Sequence, residues 1–265
     1  MNRRAFLGTS AIALASFAGT PTATARDAAG FDLGAQSYSF RNFDMNGAIA
    51  QLRSLGLNSI EFCAVHFPAD PDNPKLEEIK AAIASAGVTV PCYGVEGFSK
   101  DEAANRKKFE FAKALGIGIL TADPEPDSFD VLDKLVEEYQ IKIAIHNHGP
   151  KARYDKVADT ISAVQGHHAF IGACVDTGHV IRSGEKPHEV IEALGDRVIS
   201  LHLKDWIHGG AEQILGKGDM DLAAVAKALR AVKFDGPLMM EYEEHPDDPA
   251  PHMKEGMENW EAAAK

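Results

Sequence analysis

The chain has 265 residues, 45% of them hydrophobic and 25% charged, which are ordinary globular proportions. Its 27 Lys and Arg against 39 Asp and Glu give a net charge of -12. Such a surface argues against nucleic acid, whose binding rests on basic side chains neutralising phosphates, and against anionic membranes.

Residues 1–25 differ from the rest. Arg3 and Arg4 precede a weakly apolar run, and Ala23-Thr24-Ala25 forms an A-x-A cleavage site. The run is too short and too rich in Ala, Ser and Thr to span a bilayer well. The Arg-Arg-x-Phe-Leu order resembles a twin-arginine signal, which predicts export of the folded protein to the periplasm. An ordinary Sec signal or an uncleaved anchor is the alternative. Residues 26–265 carry no linker or composition break, so they read as one domain.

Along that domain, apolar β-branched runs alternate with longer amphipathic stretches. Strands are predicted at 33–37, 59–63, 89–93, 118–121, 142–146, 171–176, 198–203 and 238–242. Helices are predicted near 45–55, 75–86, 101–115, 128–139, 154–165, 187–195, 221–232 and 251–263. Gly56, Gly87 and Gly116 stand where left-handed helix caps are needed. Eight strand-helix units predict an α/β fold, a single (β/α)8 TIM barrel. An open doubly wound sheet is the alternative, but the first strand is followed by Gln36-Ser37-Tyr38-Ser39, not by a glycine-rich loop. The three cysteines, Cys63, Cys92 and Cys174, lie in strand-like stretches and match no zinc or disulfide spacing, so buried free thiols are expected.

Polar residues gather at the C-terminal ends of the strands. Strand two ends with Glu61, strand five with His146 and His148, strand six with Asp176 and His179, strand seven with His202, Lys204 and Trp206, and strand eight with Glu241. In a barrel that end carries the active site. His, Asp and Glu are the side chains a divalent metal needs, and four neighbouring strands all end in one.

Val175-Asp176-Thr177-Gly178-His179, His202-Leu203-Lys204-Asp205, Glu241 and Gly216-Lys217-Gly218-Asp219 resemble the motifs of the xylose isomerase-like TIM barrels, the sugar phosphate isomerase/epimerase group. The resemblance spans residues 31–245. It implies a metal held from strands five to eight by Glu, Asp, His and Glu. Carried over by position, the last three are Asp176, His202 and Glu241, and His146 stands where a Glu is common. The expected cofactor is one divalent ion (Mn, Mg, Co or Zn) on His146, Asp176, His202 and Glu241.

The chemistry implied is removal of a proton next to a metal-polarised carbonyl of a sugar or keto-sugar. Glu241 or Glu61 is the expected base and Lys204 the expected donor to the developing oxyanion. His148, His179, Lys204 and Trp206 are expected to contact substrate. Lys204-Asp205 as a local ion pair and Glu61 as a structural hydrogen-bonder are the plainer alternatives. Tyr38, Phe40, Phe62, Tyr93 and Phe98 could stack on a sugar ring or belong to the core. A sugar isomerase or epimerase is the leading expectation. A lyase or hydratase acting on a 3-keto-glycoside is the second, favoured by His146, because a metal-bound imidazole is a poor second base. A non-catalytic periplasmic sugar-binding barrel is the third. A small carbohydrate is the expected partner, with no stable membrane insertion and a homo-oligomer compatible with the sequence.

Overall fold

Strand and helix alternate throughout residues 29–265, which the computed structural model describes; the predicted leader, residues 1–25, lies outside the described residues. In chain order the elements are β1 (Asp32–Gln36), α1 (Met45–Ser54), β2 (Ile60–Glu61), α2 (Leu76–Ala86), β3 (Cys92–Phe98), α3 (Glu102–Leu115), β4 (Ile119–Pro124), α4 (Phe129–Tyr139), β5 (Lys142–His146), α5 (Val157–Val164), β6 (Ile171–Asp176), α6 (Thr177–Arg182), α7 (Pro187–Leu194), β7 (Val198–Leu203), α8 (Leu222–Ala231), β8 (Pro237–Met240) and α9 (Ala250–Ala263). The strands pair in the order β2-β1-β8-β7-β6-β5-β4-β3, all parallel. Bridges Ser59–Thr89 and Phe62–Tyr93 then bring the β2 and β3 edges together. The result is a single, nearly closed (β/α)8 TIM barrel, as the alternation predicts.

The helices form for local reasons and stay for tertiary ones. In α4, Leu132, Leu135 and Val136 are buried at helical spacing. In α3, the Asp101 carboxylate accepts from Ala104 N at one end, and Gly116 takes the left-handed cap with φ of 72° at the other.

Inside the barrel, Cys92, Ile119, Ala144, Cys174, Ile199 and Met239 form a small apolar plug, separate from the large helix-sheet core. Strand side chains alternate between faces. The residues two beyond Ala144, Cys174 and Met239 therefore stand over the plug, and these are His146, Asp176 and Glu241. Burial of all three cysteines, each a free thiol, agrees with expectation.

Three local features depart from the predicted elements. β3 runs past residue 93 because it pairs with β4 again after a register shift, placing Glu96 opposite Ala122. The six-residue helix α6 follows β6 directly, capped by Asp176. After β7 the chain folds into a short antiparallel ribbon in which Asp205 and Trp206 face Gln213 and Glu212. No described helix is long and apolar enough to cross a membrane.

Candidate metal centre and its cavity

His146, Asp176, His202 and Glu241 converge at the C-terminal mouth, with one ligand atom from each lying within 4.8 Å of all the others. All four are buried. His146 Nε2 lies 3.1 Å from His202 Nδ1 and 3.4 Å from Asp176 Oδ2, and His202 Nδ1 lies 3.2 Å from Glu241 Oε2.

Two buried atoms show why these residues fit a cation. Asp176 Oδ1 accepts from His179 N at 2.8 Å, whereas Asp176 Oδ2 has no hydrogen-bond partner. On His202, Nε2 donates to Glu61 Oε2 at 3.0 Å, so in the neutral ring Nδ1 carries a lone pair. That lone pair faces two carboxylate oxygens and a second imidazole nitrogen. Such a set is repulsive unless a positive charge sits among it. Without a cation the site draws its positive charge as a proton. Burial works to keep His202 neutral, but Cys174, Glu61 and Glu241 outweigh it and raise its pKa well above the usual value. Burial likewise opposes ionisation of Asp176, and His179 and Lys204 overcome it, pulling the carboxyl well down.

The supporting contacts are specific. Asn147 Nδ2 donates to Asp176 O at 3.1 Å and Asp176 N donates to Asn147 Oδ1 at 2.9 Å, clamping the ends of β5 and β6. Thr177 Oγ1 donates to Lys204 O at 2.6 Å and accepts from Lys204 N at 2.9 Å, joining β6 to β7. Gly178 is required by this closeness, since a Cβ there would meet Lys204 Cγ at 2.7 Å.

Lys204 Nζ is buried, 3.4 Å from Glu241 Oε2 and 3.8 Å from Asp176 Oδ2, and it pairs closely with Glu243. Burial acts to lower its pKa, but Glu241, Asp176, Glu243 and Glu212 raise it. Lys204 holds Glu241 ionised in turn. Burial pushes that carboxyl up, yet Lys204 and His202 bring it down to about 2. The local Lys204-Asp205 pair is not formed. Asp205 turns the other way and accepts from the backbone N–H groups of Gly216, Gly218 and Met220, anchoring the glycine loop.

Glu61 is placed differently from the expected base at the mouth. It is fully buried, it hydrogen-bonds His202 from behind the ligand set, and it does not line the cavity. The cavity over the ligands has a volume of ≈ 670 Å³. His148, His179, Lys204 and Trp206, the expected substrate contacts, all line it. Of the candidate aromatics, Tyr38 and Trp206 line it, whereas Phe40, Phe62, Tyr93 and Phe98 are core residues.

His148 and His179 are neutral imidazoles. Burial first, then the neighbouring His146, brings His148 down to about 4. Burial brings His179 to about 4, although Asp176 acts in the opposite direction. Arg182 Nη1 donates to His179 Nδ1 at 2.9 Å. A guanidinium can only donate, so the ring proton of neutral His179 is on Nε2. His148 keeps both ring nitrogens free of hydrogen bonds to the described residues.

The sequence reading missed several polar cavity residues, among them Arg182, Arg41 and Glu212. Arg182 lies with its Cζ 4.8 Å from the Trp206 ring centroid, and Arg41 stands over Tyr38. Glu212, on the ribbon, accepts from Glu243 N at 2.9 Å, and burial raises its pKa to about 8, so it is protonated at neutral pH.

The sequence profile described as Xylose isomerase-like TIM barrel matches residues 49–263. The chain belongs to the xylose isomerase-like TIM barrel family. An inosose dehydratase of Clostridium botulinum (strain Eklund 17B / Type B) is 26% identical over 134 residues, covering 43% of this chain and 45% of that protein. A 3-oxo-isoapionate decarboxylase of Pectobacterium atrosepticum is 25% identical over 176 residues, 59% of this chain and 62% of that one. The chain thus spans roughly half the length of these curated relatives. A D-psicose 3-epimerase from Clostridium cellulolyticum H10, solved with D-tagatose, superposes with a TM-score of 0.71 at 13% identity, over 88% of this chain and 99% of that one. That likeness shows the shared barrel fold.

Proposed function

We propose that the chain is a divalent-metal-dependent enzyme of keto-sugars that removes a proton next to a carbonyl with a single base and then expels a β-substituent. The observation that carries this reading is the convergence of His146, Asp176, His202 and Glu241 beneath a cavity that holds one free imidazole and one neutral carboxyl. A divalent ion on those four side chains would supply Lewis acidity toward the substrate's carbonyl and neighbouring hydroxyl.

The protein's own groups divide the remaining work. His148, neutral and unengaged, accepts the α-proton. His179 presents Nε2–H as a hydrogen-bond donor to the oxygen on which negative charge develops, and Arg182 holds that tautomer. Glu212, kept protonated, donates to the departing oxygen. Lys204 fixes Glu241 and Asp176 in place. Glu241 is a weak base in this setting, and Glu61 acts through His202. The proton balance closes, with one proton moving from carbon to His148 and one from Glu212 to the leaving group.

This division favours the lyase reading over the isomerase or epimerase expectation, because two-base epimerisation needs a second free base across the sugar ring. The curated relatives include a dehydratase, which also forms a double bond by elimination. The test is to incubate the metal-loaded protein with 3-keto-glucosides in D2O. Splitting of the substrate is expected, with deuterium entering the α-carbon of the remaining substrate as proton removal reverses. Label exchange with substrate mass otherwise conserved would favour the isomerase or epimerase. Neither exchange nor splitting with any keto-sugar would refute the proposal.

The expected location is the periplasm. It rests on Arg3, Arg4 and the A-x-A site at residues 23–25. Replacing both arginines by lysine should abolish export; normal delivery of that variant would point to the Sec route.

A further inference from the structure

The cavity wall is divided by strand. The ends of β5–β8 supply its histidines, Lys204, Arg182 and glutamates, whereas the ends of β1–β3 supply Tyr38, Ala64, Val65 and Val95 beside the buried Gln36 and Cys63, with Arg41 as their only charge. Five large hydrophobic residues are exposed among the described residues, and three of them, Tyr38, Val65 and Val95, stand on this one wall. Exposed valines cost free energy in water and offer nothing to a hydroxyl. A bare sugar, polar around its whole rim, would use the β5–β8 half and leave this wall wet. The ≈ 670 Å³ cavity lies in the range of about 300–1,000 Å³ that takes drug-sized ligands, more than one sugar ring.

We propose that the Tyr38, Ala64, Val65 and Val95 wall is a subsite for an apolar substituent carried by the carbohydrate, so that the substrate class is a glycoside with an alkyl or aryl aglycone. This rests on the reading of the β5–β8 half as a keto-sugar site. The sugar lies over the ligand set, and the aglycone lies across the ends of β2 and β3. Because apolar burial scales with area, affinity should rise with aglycone size until the wall is covered, while the polar half makes the same contacts throughout.

The experiment is calorimetric titration of zinc-loaded protein with methyl, butyl, hexyl and phenyl 3-keto-β-glucosides, with turnover of each followed separately. Affinity should tighten by up to roughly fourfold per added methylene. In the double variant Val65→Ser, Val95→Ser, the ratio of hexyl to methyl affinity should fall about tenfold. Equal affinity for methyl and hexyl glycosides overturns the proposal, as does failure of the hexyl compound to bind. A double variant that dissociates an oligomer while keeping the hexyl-to-methyl ratio also overturns it, because the wall is then an interface between copies of this chain. Chain-length-dependent binding without turnover upholds the subsite and sinks the elimination reading instead.

Discussion

The two halves of the barrel mouth share one backbone plan and differ in what stands on it. At β5–β8, strand-end positions carry His146, Asp176, His202 and Glu241, and the residues just beyond them brace the set through Asn147, Thr177 and Lys204. At β1–β3, the corresponding region carries Tyr38, Ala64, Val65 and Val95 beside Gln36 and Arg41, and its acids are turned from the cavity, Glu61 behind His202 and Glu96 toward Lys108. Charge is concentrated where it can be mutually compensated. Lys204 is surrounded by Glu241, Asp176 and Glu243, and each of these would be costly to bury alone. One half is built to hold charge in fixed positions, and the other to remain neutral beside it.

The contrast is broken most severely at the ligands. Asp176→Ala or His202→Ala should lose the ion and lower activity by about 10³-fold or more, the order expected when Lewis-acid stabilisation of several kcal/mol disappears. Elemental analysis of each variant is the check, and full occupancy in both would remove the assignment. Next comes His148. Loss of a general base costs roughly 10²–10⁴-fold, so His148→Gln should slow α-deuterium exchange within that range with the ion retained. Unchanged exchange would return the role of base to Glu241.

The polar half was largely legible in the sequence, for a reason that also explains what was not. Strand side chains alternate, and a barrel puts its chemistry at strand C-termini, so local pattern marked the polar strand ends, and the family resemblance picked Asp176, His202 and Glu241, with His146 at the fourth position, from among them. All eight strands followed from apolar runs in the same way. Depth is a different matter. Glu61 pairs in register with Gln36, yet Gln36 lines the cavity and Glu61 turns behind His202, and the stagger of strands around a barrel is not written in any one strand. Arg182 and Glu212 were missed because a six-residue helix and a two-residue ribbon carry them, and both elements exist only through tertiary contact. The apolar wall was missed because Val65 and Val95 look like ordinary core valines until their exposure is known.

Glu61→Gln sharpens the boundary between the halves. Glutamine keeps an acceptor for His202 Nε2–H but removes the negative charge that makes the ring a better ligand. Metal affinity should fall about tenfold, at the low end of the 10–100-fold effects seen when a ligand's supporting partner is changed. Turnover at saturating metal should stay within about threefold of the parent, the fold-change left once lost affinity is made good by mass action. A collapse of turnover with the ion fully bound would make Glu61 the base after all.

The narrowest effect concerns Glu212, since it is confined to substrates with poor leaving groups, and its signature lies in the pH profile. Burial raises this carboxyl to about 8, against the downward pull of Lys204. As a proton donor it works only while protonated. Activity should therefore hold below pH 8 and decline as pH rises through about 8, where the carboxyl ionises. Glu212→Gln keeps the hydrogen bond from Glu243 N but has no proton to give, so this alkaline limb should vanish. Its rate on a substrate with a poor leaving group should fall by roughly 10²-fold, the lower end for general acid catalysis. A substrate with an acidic, readily departing phenol needs little help, and with it the variant should nearly match the parent. An equal loss on both substrates would mean that Glu212 positions the ribbon and does not donate to the leaving oxygen.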